Sequence, residues 1–86
     1  MTRMNDSQLA ALARAISKLR EEADLSQASL AQKADLTPTS IGEVESGKHE
    51  PTYGTMRRLA RGLGISLPEL VKRIAEAEEA SGRRGR

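Results

Sequence analysis

The sequence predicts an all-α fold of five helices. Three features lead there. Large aliphatic residues recur at three- and four-residue spacing, and nowhere do they alternate as a half-buried strand requires. Capping residues and helix breakers punctuate the chain at helix-length intervals: Ser26, Thr37, Thr52 and Ser66 before apolar runs, Gly47 and Gly64 after them. Tyr53 is the only aromatic residue, so the core must be aliphatic, with Tyr53 expected as a plug within it.

Each element follows from its own residues. Asn5-Asp6-Ser7 offers caps, and Leu9, Leu12, Ala13, Ile16, Leu19 and Ala23 trace one helical face up to about Ala23. Asp24 turns the chain, because Asp tolerates the left-handed region better than most residues. Ser26 caps a short second helix with Leu30, Ala31 and Ala34 at helical spacing. Ala34-Asp35-Leu36 makes a tight turn. Thr37 caps a third helix, with Pro38 in its first position, where no N–H is needed. Its inner face holds only Ile41 and Val44; its outer face is Pro38, Thr39, Ser40, Gly42 and Glu43, all short or polar. A helix this short does not hold itself together in water. Something else must pin it, and its exposed face must serve something other than packing.

Lys48-His49-Glu50-Pro51 is a loop, with Pro51 biasing Glu50 away from helix. Met56, Leu59, Ala60 and Leu63 stripe a fourth helix beginning at Thr52, in which Gly54 and Gly62 each cost about 1 kcal/mol relative to Ala. Ser66-Leu67-Pro68-Glu69 is a capping box, and Leu67, Leu70, Val71 and Ile74 stripe a fifth helix to about Ala80. One folded domain is thus expected over residues 1–80, followed by a disordered basic tail over residues 81–86.

Composition narrows the function classes. Without cysteine there is no disulfide or thiolate–zinc framework, and the cytoplasm is permitted. No apolar run is long enough to span a membrane, and the first residues lack the apolar core of a signal peptide. The expected compartment is the cytoplasm, with no membrane partner. One aromatic is too few for a single-strand stacking platform. The net charge is +2, but three of the 14 basic residues are Arg83, Arg84 and Arg86; residues 1–80 then hold 11 basic and 12 acidic groups, a net −1. Any binding to nucleic acid must come from local placement of charge. His49 is the single histidine, without partners for a metal site, and no glycine-rich phosphate loop is present. No enzyme, no metal and no cofactor are expected.

Arg20, Leu25-Ser26-Gln27, Leu30-Ala31, Leu36-Thr37, Ser40-Ile41, Glu45, Gly47, Pro51, Leu59-Ala60 and Leu70 form an ordered, spaced series. It resembles the phage repressor/Cro-like (XRE-type) helix-turn-helix family, a five-helix, repressor-like DNA-binding fold, from about Leu12 to Val71. The resemblance implies a small transcriptional regulator, with residues 37–46 as a recognition helix in the major groove of double-stranded DNA. It implies base contacts from Pro38, Thr39, Ser40 and Glu43, and phosphate contacts from Gln27, Ser46 and Lys48, against ordinary solvation of the same side chains. It also implies an ion pair of Arg20 with Glu45, tying the first helix to the third.

Two departures stand out. Asp24 and Asp35 occupy positions where the family often has glycine, and Pro38-Thr39 stands where relatives often place glutamine, a bidentate reader of adenine. From Asp35 to Glu50 there are four acidic residues and one lysine, so some of the acids must face away from DNA or be paired, or binding is weak. A single domain touches few base pairs, so a homodimer on a palindromic operator is expected, with the far half of the fifth helix or its adjoining surface as the seam. The competing reading is a protein-interaction module, an antitoxin or adaptor, whose acidic third helix meets a protein partner.

Overall fold

The computed structural model describes residues 3–84. Five helices follow one another: α1 (Asp6–Glu22), α2 (Gln27–Ala34), α3 (Pro38–Glu45), α4 (Tyr53–Leu63) and α5 (Leu67–Arg84). The body measures 38 × 28 × 22 Å.

Every helix starts the same way. The side chains of Asn5, Ser26, Thr37, Thr52 and Ser66 each accept the backbone N–H three residues on, at distances from 2.8 Å to 3.1 Å. Each satisfies a first-turn donor that the helix itself leaves unpaired. At Asn5 the box closes, because Gln8 Oε1 accepts from the Asn5 N–H at 3.0 Å. Three helices also end alike. Asp24, Asp35 and Gly64 take left-handed φ of 59°, 57° and 75°. The next residue in each case donates its N–H five residues back: Leu25 to Arg20 at 3.0 Å, Leu36 to Ala31 at 2.8 Å, Ile65 to Ala60 at 3.0 Å. These bonds satisfy carbonyls at the helix ends. Leu25, Leu36 and Ile65 then pack, partly buried, against the core. Each turn is therefore closed by a backbone bond and an apolar latch together.

The core is aliphatic. Leu12, Ile16, Leu30, Ile41, Leu59 and Leu70 are its fully buried large side chains, at least one from every helix. α1 packs along α5 and against α3, and α2 packs between α3 and α4. Gly62 sets the α2–α4 approach: a Cβ there would lie 2.8 Å from Ala34 Cβ and 3.0 Å from Leu30 Cδ1. The helix propensity lost at Gly62 is therefore exchanged for close packing.

Two expectations fail. Tyr53 is 66% exposed rather than a core plug. It begins α4 four residues before Arg57, outside the Met56–Leu59–Ala60–Leu63 stripe, and its ring lies 5.9 Å from the Arg57 guanidinium carbon. That is within reach of a cation–π contact. α5 also passes its expected end at Ala80 and continues through Arg84, over four of the six residues expected to form a disordered tail. Between Ala80 and Arg84 there is no proline and no left-handed residue. Arginine favours helix, which offsets part of the roughly 1 kcal/mol cost of Gly82. Arg86 lies outside the described residues.

Candidate nucleic-acid interface

α2 and α3 form the helix-turn-helix, joined through left-handed Asp35 and the cap residue Thr37. Ile41 and Val44 anchor α3 inward, the first fully buried and the second nearly so. Pro38, Thr39 and Glu43 are exposed on the opposite face and Ser40 is half-buried. The Ser40 hydroxyl lies 3.0 Å from the Thr37 hydroxyl, so it belongs to the cap as well as to the face.

The end of α3 is tied from behind. Arg20 Nε donates to Glu45 Oε2 at 2.7 Å and Nη2 donates to Oε1 at 3.2 Å. The two side chains are 15% and 8% exposed. Two parallel charge-assisted bonds fix direction as well as distance. Arg20 Nη1 also donates to the Leu25 carbonyl at 2.8 Å, so one guanidinium joins α1, the α1–α2 turn and α3. Burial pushes the Glu45 carboxyl up. Hydrogen bonds from Arg20 and Gln27 and the Arg20 charge outweigh burial, and Glu45 titrates below its ordinary value. The hydrogen bond to Glu45 in turn raises Arg20 above its own ordinary value.

The residues expected at phosphates are in unequal states. Lys48 is exposed, and its side chain makes no hydrogen bond among the described residues. Ser46 Oγ donates to the Glu43 carbonyl at 2.6 Å and accepts from the Lys48 N–H at 3.3 Å, so it shapes the loop. Gln27 Nε2 donates to Glu45 Oε1 at 3.0 Å. The acidic excess also resolves. Glu45 is paired, Glu50 accepts from the Met4 N–H at 2.8 Å, and Asp35 makes the turn. Glu43 is the one acid on the outer face of α3.

Sequence reasoning passed over α4. Arg57, Arg58 and Arg61 are exposed there, with no acidic residue between Tyr53 and Leu63. Arg58 Nη1 donates to the Asp35 carbonyl at 3.2 Å, beside the turn into α3. The signal was available as a local run of like charge in a nearly neutral chain. Among the described residues no cluster of histidine, cysteine or carboxylate could hold a metal.

The helix-turn-helix family model matches residues 16–70, from the middle of α1 to the start of α5. The chain belongs to the repressor-like (XRE-type) helix-turn-helix family. It is a DNA-binding protein of transcriptional control, as that family is. The control protein C.MunI of a Mycoplasma species is 40% identical over 60 residues, covering 69% of this chain and 81% of C.MunI. The immunity repressor of Bacillus phage phi105 is 32% identical over 56 residues, covering 65% of this chain and 39% of the repressor. Among solved structures, the clp gene regulator ClgR of Corynebacterium glutamicum superposes with a TM-score of 0.83 at 19% identity, covering 91% of this chain and 83% of ClgR. The restriction-modification controller protein C.Esp1396I gives 0.75 at 24%, covering 81% and 91%. At these identities the two structures speak for the fold alone. No helix among the described residues is long and apolar enough to cross a membrane.

Proposed function

We propose that this helix-turn-helix protein is a small transcriptional regulator that binds a palindromic operator as a homodimer, in the cytoplasm and without catalysis. α3 lies in the major groove. Pro38, Thr39, Ser40 and Glu43 face base edges, while Lys48, Gln27 and the Ser46 turn fix the register on phosphates. The single observation that carries this is the division of α3. Ile41, Val44 and Glu45 are all turned inward and held, which leaves a short outer face of small groups and one carboxylate. That face is shaped for base edges, where a carboxylate accepts from a cytosine amino group.

C.MunI is named as a control protein and the phi105 protein as an immunity repressor, which supports a regulatory role without choosing between activation and repression. Val71 is 52% exposed on α5, a helix that extends beyond what the core covers, and this supports a second copy against α5. The test is selection of duplexes from a random pool, followed by affinity against salt and sedimentation with and without the selected duplex. A palindromic consensus, salt-sensitive binding and two chains per duplex are expected. Salt-insensitive or absent duplex binding would favour the adaptor reading, in which α3 meets a protein.

A further inference from the structure

We infer that Glu45 is a positioning residue for DNA binding, acting through Gln27 rather than touching DNA. The proposal rests on the duplex-binding function above. Glu45 sits where three helices meet. One of its oxygens, Oε2, receives Arg20 Nε at 2.7 Å; the other, Oε1, receives Arg20 Nη2 at 3.2 Å and Gln27 Nε2 at 3.0 Å. Gln27 is the first residue of α2 and is exposed. A free glutamine there would sample many rotamers, and ordering it on a phosphate would cost entropy at the moment of binding. Glu45 removes that freedom beforehand.

The chemistry of the amide makes this useful. A primary amide nitrogen carries two hydrogens. Glu45 accepts one and leaves the other free for a phosphate oxygen. Glu45 itself is held by Arg20, whose guanidinium also grips the Leu25 carbonyl, so the chain of contacts runs from the α1 frame to the exposed amide without a loose member. The carboxylate is 8% exposed and paired with Arg20 at 2.7 Å, and that pairing balances the charge it would otherwise set against DNA. One buried acid thus serves two ends, fixing α3 and aiming α2. The Arg20–Glu45 pair alone would need no third partner; the contact with Gln27 links it to the binding face.

Two measurements test this on the full chain. The first is nuclear magnetic resonance of the Gln27 side-chain amide in the free protein. The two hydrogens should give well-separated lines with backbone-like rigidity. Free-chain mobility of that amide would overturn the proposal, whatever any variant does. The second is a double-mutant cycle on a duplex selected by the wild type and on a scrambled duplex, with folding of each variant checked by circular dichroism. Gln27→Ala should weaken binding about tenfold on both duplexes, the size of one hydrogen bond to a charged group. Its salt slope should be unchanged, because the contact is neutral. Glu45→Ala should give a similar loss, and the double variant no more than either alone. Glu45→Gln keeps an acceptor oxygen for Gln27 and should bind within about threefold of wild type, which makes the cycle readable even if Glu45→Ala does not fold. Losses that multiply in the double variant would show that Glu45 does not act through Gln27. A wild type that binds no duplex would remove the DNA-binding role itself, a different failure from a mobile amide or multiplied losses.

Discussion

α3 and the outer half of α5 both project from the same core, and they are held by opposite means. α3 is eight residues long, capped by Thr37, anchored by Ile41 and Val44, and locked at its end by a mostly buried, two-pronged ion pair. α5 is eighteen residues long. From Arg73 onward Ile74 packs, partly buried, against the core, and the remaining ties run to α1 at the surface: Arg73 to Glu22 at 3.2 Å, with side chains 29% and 50% exposed, and Arg14 to the Ala77 carbonyl at 3.4 Å. The short helix is over-determined, because a helix of two turns has no stability of its own and its outer face must keep one pose. The long helix supports more of itself and can leave its far half lightly held. Order is concentrated on the helix whose outer face is proposed to meet base edges.

The largest effect should come from the inner face of α3. Ile41→Ala empties a fully buried site. It should cost about 2–4 kcal/mol, much of the stability of a domain this small. Urea unfolding measures it. An Ile41→Ala protein as stable as wild type would erase the contrast between the two helices. The two ion pairs sharpen it further. Arg20→Ala strands Glu45 in a largely buried place and should cost about 2–3 kcal/mol. Arg73→Ala breaks an exposed pair and should cost under about 1 kcal/mol. Equal costs would mean that burial does not distinguish them. Next comes Gly62→Ala, whose new Cβ would lie 2.8 Å from Ala34 Cβ. It should cost about 1–3 kcal/mol despite the better helix propensity of alanine. A stabilised variant would show that α2 and α4 can move apart freely.

Most of the fold was legible because its signals are local. The caps at Ser26, Thr37 and Ser66, the αL turns at Asp24 and Asp35 and the apolar stripes all follow from residue types within a turn of one another. What the sequence hid depends on neighbours far along the chain. Gly62 reads as a helix defect until Ala34 is placed beside it. Gln27 reads as a phosphate contact at the start of α2, and its bond to Glu45, eighteen residues on, follows only from the packing of α3 behind α2. Tyr53 misleads for a different reason: its rarity suggests a core role, although the apolar stripe of α4 already leaves it outside. The end of α5 misleads because Gly82 and clustered arginines look like a tail, although nothing among residues 81–84 breaks a helix.

A smaller effect is set by pH. The folded Glu45 titrates below its ordinary value of 4.5, so its contribution to stability is complete above that value and is lost as pH falls through the folded one. Wild type should therefore exceed Glu45→Gln in stability by a constant margin from neutral pH down to about pH 5, and the margin should close on further acidification. A margin that grows in acid would reverse the assigned sign.

The most direct test of the division of α3 uses its outer face alone. Glu43 is exposed and its side chain has no hydrogen-bond partner among the described residues, so Glu43→Gln should melt with wild type. Duplexes selected in parallel by the two proteins should differ at one base pair per half-site, where wild type prefers cytosine for its amino group. The same consensus from both proteins, or no consensus from wild type, would contradict base reading by this face of α3.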